Sequence, residues 1–320
     1  MLRIVARSFS LLVAVALGAC SSSVAPVQTG AVPMSRAFDA PLSRGFGVRP
    51  LKAVKPKAKS VVVVIMENRD YDLVIGSSDA PYINNTLVPQ AALMTDSHAV
   101  THPSQPNYLA LFSGSTQGIT DDSCPHTFSV ANVASELLAK KGKSFDGYSE
   151  SMPSNGYTGC STNLYARKHN PWVDFSNVPT ASNLVFSGYP DPPPTLSWIV
   201  PNLCDDMHDC STQQGDTWLS ENLPAILEYN AANDGLLILT WDEADPDANG
   251  SNQIATLLIG PMVVPGSYSQ DITHYSVLRT IEEIVGVKCI VKANDCKAKP
   301  LTGMWQTAAA TTGLAPAGLK

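Results

Sequence analysis

A mostly parallel α/β fold is predicted by three features of this 320-residue sequence. Residues 61–66 form a short unbroken apolar run, and 236–241 and 254–259 are apolar runs broken only by Thr240 and Thr256, the mark of strands buried on both faces of a parallel sheet. Patterns of helical period lie between and after them. Hydrophobic residues make up 44% while charged residues make up only 15%, below the usual ~25% for a globular domain. That balance excludes a disordered chain or a coiled coil. The net charge of −7 also excludes a basic, sequence-independent nucleic-acid binder, so no nucleic-acid partner is expected.

The elements follow in chain order. Arg3 and Arg7 precede a short apolar stretch from Phe9 to Leu17, and Leu17-Gly18-Ala19-Cys20 then meets three serines. A basic start, a short apolar core and small residues before a cut describe a secretory signal over residues 1–20. The cysteine at the cut resembles a bacterial lipobox, in which Cys20 is lipidated and becomes the mature N-terminus. Ordinary cleavage without lipid is the alternative. Either way an exported chain is expected, lipid-anchored to a cell envelope through Cys20 or secreted. No apolar run reaches the ~18 residues of a membrane span. Residues 21–57 are rich in Ser, Pro, Ala and Val without period and read as a flexible tether.

A folded domain is expected over 58–302. Val130, Val133, Ala134, Leu137 and Leu138 share one helix face, with Ser129 as N-cap and Gly142 past the end. Val277, Leu278, Ile281, Ile284 and Val285 form another, stopped by Gly286. Residues 150–217 are rich in Pro, Asn, Gly, Ser and Asp and read as a functional loop region or lid. Residues 303–320 are expected to form a loose tail.

Seven cysteines less Cys20 leave Cys124, Cys160, Cys204, Cys210, Cys289 and Cys296. An even count in an exported chain implies disulfides. Short separation favours Cys204–Cys210 and Cys289–Cys296, which leaves Cys124–Cys160. A zinc cluster competes with this reading, but the sequence has no CxxC pair to support it.

Two apolar strands end in acid. Residues 61–66 run into Glu67-Asn68-Arg69-Asp70, and residues 236–241 into Asp242-Glu243-Ala244-Asp245. Open parallel sheets bind ligands outside the carboxyl ends of their strands, so Glu67, Asn68, Asp242 and Glu243 are expected on one edge. Crowded carboxylates repel one another unless a cation neutralises them, and hard oxygen donors suit a divalent metal. One divalent metal ion is therefore the expected cofactor. A third segment runs from Thr101-His102-Pro103-Ser104 to Gly114. Ser104 opens a helix there, facing free amides and the positive end of the dipole, a seat for phosphate. A serine hydroxyl becomes a good nucleophile only beside a base or a metal. Of the six histidines, His169, His208 and His274 stand in polar, motif-like settings where imidazole could bind phosphate, ligate metal or move a proton. His98 and His126 have no such context.

Taken in order, Glu67-Asn68-Arg69, the His102 to Gly114 segment, Tyr165-Ala166-Arg167-Lys168-His169-Asn170-Pro171, Pro201-Asn202-Leu203-Cys204, Trp241-Asp242-Glu243, His274-Tyr275-Ser276 and Arg279-Thr280-Ile281-Glu282 resemble the bacterial phosphoesterase family of acid phosphatases and phospholipases C. Within it the length is similar to the short secreted acid phosphatases, some of them phosphatidylinositol 3-phosphate phosphatases. The resemblance implies an alkaline-phosphatase-like α/β/α sandwich. It implies Ser104 as nucleophile and Asn107 as donor to a phosphate oxygen. Glu67, Asn68, Asp242 and Glu243 would hold the metal, approached by Ser104. His169, His208 and His274 would face the phosphate or the leaving group, with Asp206 a further candidate beside His208. Two departures matter. Relatives with two metals carry an Asp-His pair where this chain has Asp242-Glu243, so a single metal is expected. Gln253 stands where some relatives carry a basic residue.

The expected function is metal-dependent hydrolysis of a small phosphomonoester or phosphoinositide through a phosphoserine intermediate. Protonated His169 and His274 would then give an acidic optimum. The alternatives are a phospholipase C-type phosphodiesterase, whose large members carry C-terminal domains that find no room here, and a non-catalytic surface-binding lipoprotein on the same scaffold.

Overall fold

The computed structural model describes residues 55–245 and 250–306. The expected signal, Cys20, most of the tether and the last residues of the tail lie outside them.

The strands in chain order are β1 (Ser60–Met66), β2 (Ala92–Met94), β3 (Ser97–His98), β4 (Phe145–Ser149), β5 (Ser161–Thr162), β6 (Tyr165–Ala166), β7 (Asn183–Val185), β8 (Leu196–Val200), β9 (Gly235–Trp241), β10 (Thr256–Ile259), β11 (Gly266–Tyr268) and β12 (Ile272–Thr273). The α-helices are α1 (Tyr71–Val74), α2 (Ser104–Ser113), α3 (Val133–Leu138), α4 (Thr212–Asn233) and α5 (His274–Val285). The main sheet has the order β11-β2-β10-β9-β1-β8-β4-β7. β10 pairs antiparallel with both β9 and β2, and the other pairings in this sheet are parallel. The third apolar run is thus a strand of the opposite sense, which periodicity cannot distinguish.

β1 lies at the centre and every residue in it is buried. Its alternation assigns the two faces. Val61, Val63 and Ile65 join a core with residues of α2, α3 and α5, among them Phe112, Leu137 and Ile281. Val62, Val64 and Met66 join a second core with Trp218, Leu223 and Ile226 of α4. Period-2 strands covered by helices on both sides make an α/β/α sandwich, as expected. No helix among the described residues is long and apolar enough to cross a membrane.

Four local expectations change. α3 starts at Val133 rather than after Ser129, because Asn132 and Ser135 form a reciprocal capping box, and Val130 is left exposed. Residues 150–217 are not a lid. They contain β7 and β8, and β8 sits between β1 and β4 in mid-sheet. The domain also runs past residue 302: Met304 and Trp305 are buried in the α5-side core, and Gln306 donates from its amide to Met262. α4, a helix of 22 residues, begins at Thr212, inside the region expected to be irregular to residue 217. Three disulfides, Cys124–Cys160, Cys204–Cys210 and Cys289–Cys296, are formed in the expected pairing, which fits an exported chain.

Gly147 in β4 gives a test of how closely the loop region is packed on the sheet. A Cβ there would fall 2.2 Å from the indole of Trp172, which is 1% exposed and donates from Nε1 to Asn183 Oδ1 at 2.8 Å. The Gly147→Ala variant is expected to lose about 2–3 kcal/mol of stability through overpacking, read as a shifted midpoint in urea. An unshifted midpoint would show that Trp172 is free to move.

Candidate active site

The site is built at the carboxyl ends of β1 and β9. The register pairs Met66 with Trp241, so the residues that follow, Glu67 and Asp242, leave the sheet side by side. Backbone bonds fix their exits: the Asp242 amide donates to Met66 O at 3.0 Å and the Arg69 amide to Glu243 O at 3.2 Å. Asn68 turns the chain in the left-handed region (φ 47°), which asparagine tolerates better than most residues. Its amide donates to Asp242 Oδ1 at 3.1 Å.

Ser104 is the first residue of α2. Pro106 is accommodated in the first turn, where its missing N–H costs nothing. Ser104 Oγ lies 3.0 Å from Glu67 Oε2 and 3.1 Å from Glu243 Oε1, and it also reaches Asp242. One hydroxyl proton serves a single acceptor at a time, so the remaining oxygens crowd without a proton between them. Tyr108, one turn along α2, donates to Glu67 Oε1 at 2.6 Å.

The two loops of the former lid region close the far side. His169 is stacked on Tyr108, with Nε2 3.0 Å from Glu67 Oε1 and Nδ1 3.4 Å from Asp206 Oδ2. Asp206 and His208 come from the loop closed by Cys204–Cys210. Arg69 holds that loop to the end of β1, donating to Asn68 O, to Cys210 O and to Thr212. Asp206 O in turn accepts from the Glu67 amide at 2.8 Å.

Glu67, Asp206, Asp242 and Glu243 are all buried. Burial raises each of their pKa values: Glu67 and Asp206 well above the carboxylate range, Asp242 to about 8 and Glu243 to about 7. Neighbouring acids add to this, with Asp242 and Asp206 acting on Glu67 and Glu243 acting on Asp242. A cation would reverse that cost. The donors suit one: Asn68 Oδ1 and Asp242 Oδ2 are buried without a partner, beside the oxygens of Glu67, Ser104 and Glu243. This is a set of hard oxygens with no sulfur, as a divalent ion prefers. Glu67, His169 and His208 form a further group whose ligand atoms lie within 4.8 Å of one another. The outer side of that group already carries the Lys168 ammonium, 3.3 Å from His208 Nε2.

Two expected roles do not match the geometry. Asn107 does not point its amide at a phosphate. Oδ1 accepts from Val100 and Thr101, Nδ2 donates to Thr101 O and Pro103 O, and the side chain is thereby saturated as a brace for the loop before Ser104. His274 does not face the cavity either. It is 1% exposed, with Nε2 2.6 Å from the Asp242 carbonyl, and burial pushes it down to about 4. It supports the strand end that carries the acids. His169 is likewise pushed well below the histidine range by burial and by Lys168. An acidic optimum therefore cannot rest on imidazolium at these two positions. Sequence reasoning missed His102, whose Nδ1 lies 2.5 Å from Glu243 Oε2 while its side chain is 41% exposed. It also missed Tyr108 and Lys168. The signal for His102 was its place two residues before Ser104.

The raised acids give a linkage test. In the metal-free fold they retain protons that the unfolded chain releases above about pH 4–5. The folded state then binds more protons than the unfolded state, so stability falls as pH rises toward the values near 7 and 8 of Glu243 and Asp242. Chelated protein is expected to melt several degrees lower at pH 8 than at pH 5. Mg²⁺, Mn²⁺ or Ca²⁺ should restore the loss at pH 8, and Asp242→Asn should flatten the profile. No dependence on pH and no response to any divalent ion would refute the cation site.

Comparison with known proteins identifies the family and the fold. The model of the phosphoesterase family matches residues 77–288. A phosphatidylinositol-3-phosphatase of Mycobacterium tuberculosis is 44% identical over 256 residues, covering 78% of this chain and 84% of that protein. An acid phosphatase of Aspergillus fumigatus is 30% identical over 260 residues, covering 74% of this chain but only 57% of its own length. Among solved structures, a protein in the alkaline phosphatase superfamily from Vibrio parahaemolyticus superposes with a TM-score of 0.54 at 12% identity, over 78% of this chain and 71% of that one. The lipoteichoic acid synthase LtaP from Listeria monocytogenes gives 0.53 at 10%, over 72% and 73%. These two likenesses establish an alkaline-phosphatase-like fold. By its motifs, its match to the family model and its relatives, the chain belongs to the phosphoesterase family, hydrolases of phosphate esters.

Proposed function

We propose that the chain hydrolyses phosphate monoesters by attack of Ser104 on phosphorus, with one divalent cation held by Glu67, Asn68, Asp242 and Glu243. The observation that carries this reading is the position of Ser104 Oγ between Glu67 and Glu243, 3.0 and 3.1 Å from their carboxylate oxygens. Bound there, the cation would lower the pKa of the serine hydroxyl and neutralise charge on the phosphoryl group. The remaining steps belong to the protein. Glu243 Oε1 takes the Ser104 proton as the Oγ–P bond forms and the bond to the leaving oxygen breaks. His102, on the other oxygen of Glu243 and open to solvent, hands a proton to the departing alkoxide. Water then attacks the phosphoserine, passing a proton to His102, as Ser104 Oγ leaves and recovers its own proton from Glu243. Tyr108 holds Glu67 in place with His169 stacked against it, and Asn107 braces the loop that aims Ser104.

The mycobacterial relative at 44% identity supports a phosphoinositide 3-phosphate as one substrate. Export by a signal at residues 1–20, with a lipid on Cys20, completes the proposal. It would hold the enzyme at a membrane surface.

Ser104→Ala is expected to fold normally and to lose more than ~10³-fold in kcat on p-nitrophenyl phosphate. Acid-quenched wild-type enzyme should carry phosphate on the Ser104 peptide by mass spectrometry. A panel containing the same monoester, a matched diester and phosphatidylinositol 3-phosphate assigns the substrate class. Wild-type turnover by Ser104→Ala would refute the nucleophile, and faster diester cleavage would replace phosphatase with phosphodiesterase.

A further inference from the structure

Two cationic side chains border the acid cluster, and they differ in what they are free to do. The guanidinium of Arg69 is engaged with Asn68 O, Cys210 O and Thr212, and serves to hold the loops together. Lys168 reaches the cluster from the 3₁₀ turn Arg167–His169 with its side chain 18% exposed. Its Nζ donates to Asp122 Oδ2 at 2.8 Å and lies 3.3 Å from His208 Nε2. An ammonium has three N–H donors, and the third has no partner among the described residues.

The two contacts fix where that third donor is. Asp122 Oδ1 accepts at 2.9 Å from the amide of Gln105, the residue after Ser104. One carboxylate thus ties the ammonium to the turn that carries the proposed nucleophile. On the other side, His208 Nδ1 lies 2.7 Å from Asp209 Oδ1. A neutral His208 that donates there leaves Nε2 to accept from Lys168. His208 in turn presents a ring nitrogen within 4.8 Å of the ligand atoms of Glu67 and His169. Through Asp122 and Gln105 on one side and His208 on the other, the ammonium stands between the turn that carries Ser104 and the group Glu67, His169 and His208. The acids respond to it: its charge lowers the pKa values of Glu67, Asp206 and Glu243 against the effect of burial.

We propose that Lys168 binds a non-bridging oxygen of the phosphoryl group and sets a preference for monoesters over diesters, with Asp122 as its positioning residue. The inference rests on the reading of the site as a phosphatase. A monoester at neutral pH is close to a dianion and offers three non-bridging oxygens. A diester is a monoanion with two, its third position filled by an alkoxy group. In a pocket lined by Glu67, Asp206, Asp242 and Glu243 the extra charge of the monoester is repelled more strongly, unless a protein cation meets it. A charge-assisted bond from a partly shielded ammonium meets it at the oxygen that a diester lacks.

The test compares p-nitrophenyl phosphate with methyl p-nitrophenyl phosphate in wild type, Lys168→Met, Lys168→Arg and Asp122→Asn, using the full chain loaded with divalent metal. Lys168→Met keeps the stem and removes the charge. It should lower kcat/KM for the monoester on the order of 100-fold, the effect typical of losing one donor to developing phosphoryl charge, while the diester changes less than ~5-fold. Lys168→Arg should recover part of the monoester loss. Asp122→Asn should raise KM for the monoester more than it lowers kcat, and should add little in the Lys168→Met background, since both variants remove the same contact. Calorimetry with inorganic phosphate supplies a readout independent of turnover, with binding expected to weaken in Lys168→Met. Equal losses on both esters, or unaltered phosphate binding, would overturn the proposal. A wild type that hydrolyses neither ester refutes the phosphatase reading instead, and phosphate calorimetry alone then decides the role of Lys168.

Discussion

Burial of Glu67, Asp206, Asp242 and Glu243 in one small volume is the constraint on which the rest of this structure depends. Each would be more stable in water, and each raises the cost of ionising its neighbours. A fold holds such a group only by surrounding it with fixed donors and a rigid frame. The donors are identifiable: the Asn68 amide on Asp242, the His208 amide on Asp206, the Tyr108 hydroxyl on Glu67 and the His102 ring on Glu243. The frame is the fully buried centre of the sheet, where β1 and β9 are in register over seven residue pairs. Two loops would not hold the same acids, because loop backbones relax apart when like charges meet.

That frame explains the placement of the irregular region. Residues 150–210 close the site from the far side, yet they return twice into the sheet as β7 and β8. Two disulfides then limit their freedom. Cys124–Cys160 ties the region to the chain after α2, and Cys204–Cys210 closes the loop that carries Asp206 and His208. Arg69 links that loop to the end of β1. His169 and His208 are thus set by covalent and sheet constraints. A mobile lid would instead order them only when substrate arrives, and the ordering entropy would weaken binding.

How much was legible in the sequence follows from which interactions are local. β1 and β9 were visible because strands buried on both faces are continuously apolar. α5 was visible because its apolar stripe is strong and Gly286 ends it in the left-handed conformation. The meeting of Glu67 with Asp242 followed from a general rule about parallel sheets. β4 and β8 escaped notice because Asp146, Gly147 and Ser197 interrupt their apolar pattern. Gly147 is needed there to admit Trp172, a contact made by a residue 25 positions away. α4 was hidden because it has apolar residues spread around it and Pro224 within it. The roles of Asn107 and His274 were misplaced for a related reason. A motif names the residues near a site, but only the backbone shows whether a side chain faces the cavity or braces the wall. Asn107 and His274 brace the wall.

The same distinction bears on how a site so acidic handles protons. His274 and His169 are enclosed by the groups they support, and burial keeps their imidazoles neutral. Around the acid cluster the histidines with access to solvent are His102 and His208, with side chains 41% and 25% exposed. Of these, His208 accepts from Lys168 and donates to Asp209, so both its nitrogens are engaged. His102 has one nitrogen on Glu243, and its side chain is open to solvent. In the proposed mechanism its ring would connect the acid that receives the Ser104 proton with the leaving alcohol, and protons would be handled along the line Ser104, Glu243, His102. The charge of the phosphoryl group would be met by Lys168, held on Asp122. An ammonium already carries its full complement of protons, so Lys168 would meet phosphoryl charge without drawing on the proton that His102 supplies to the leaving group in that mechanism.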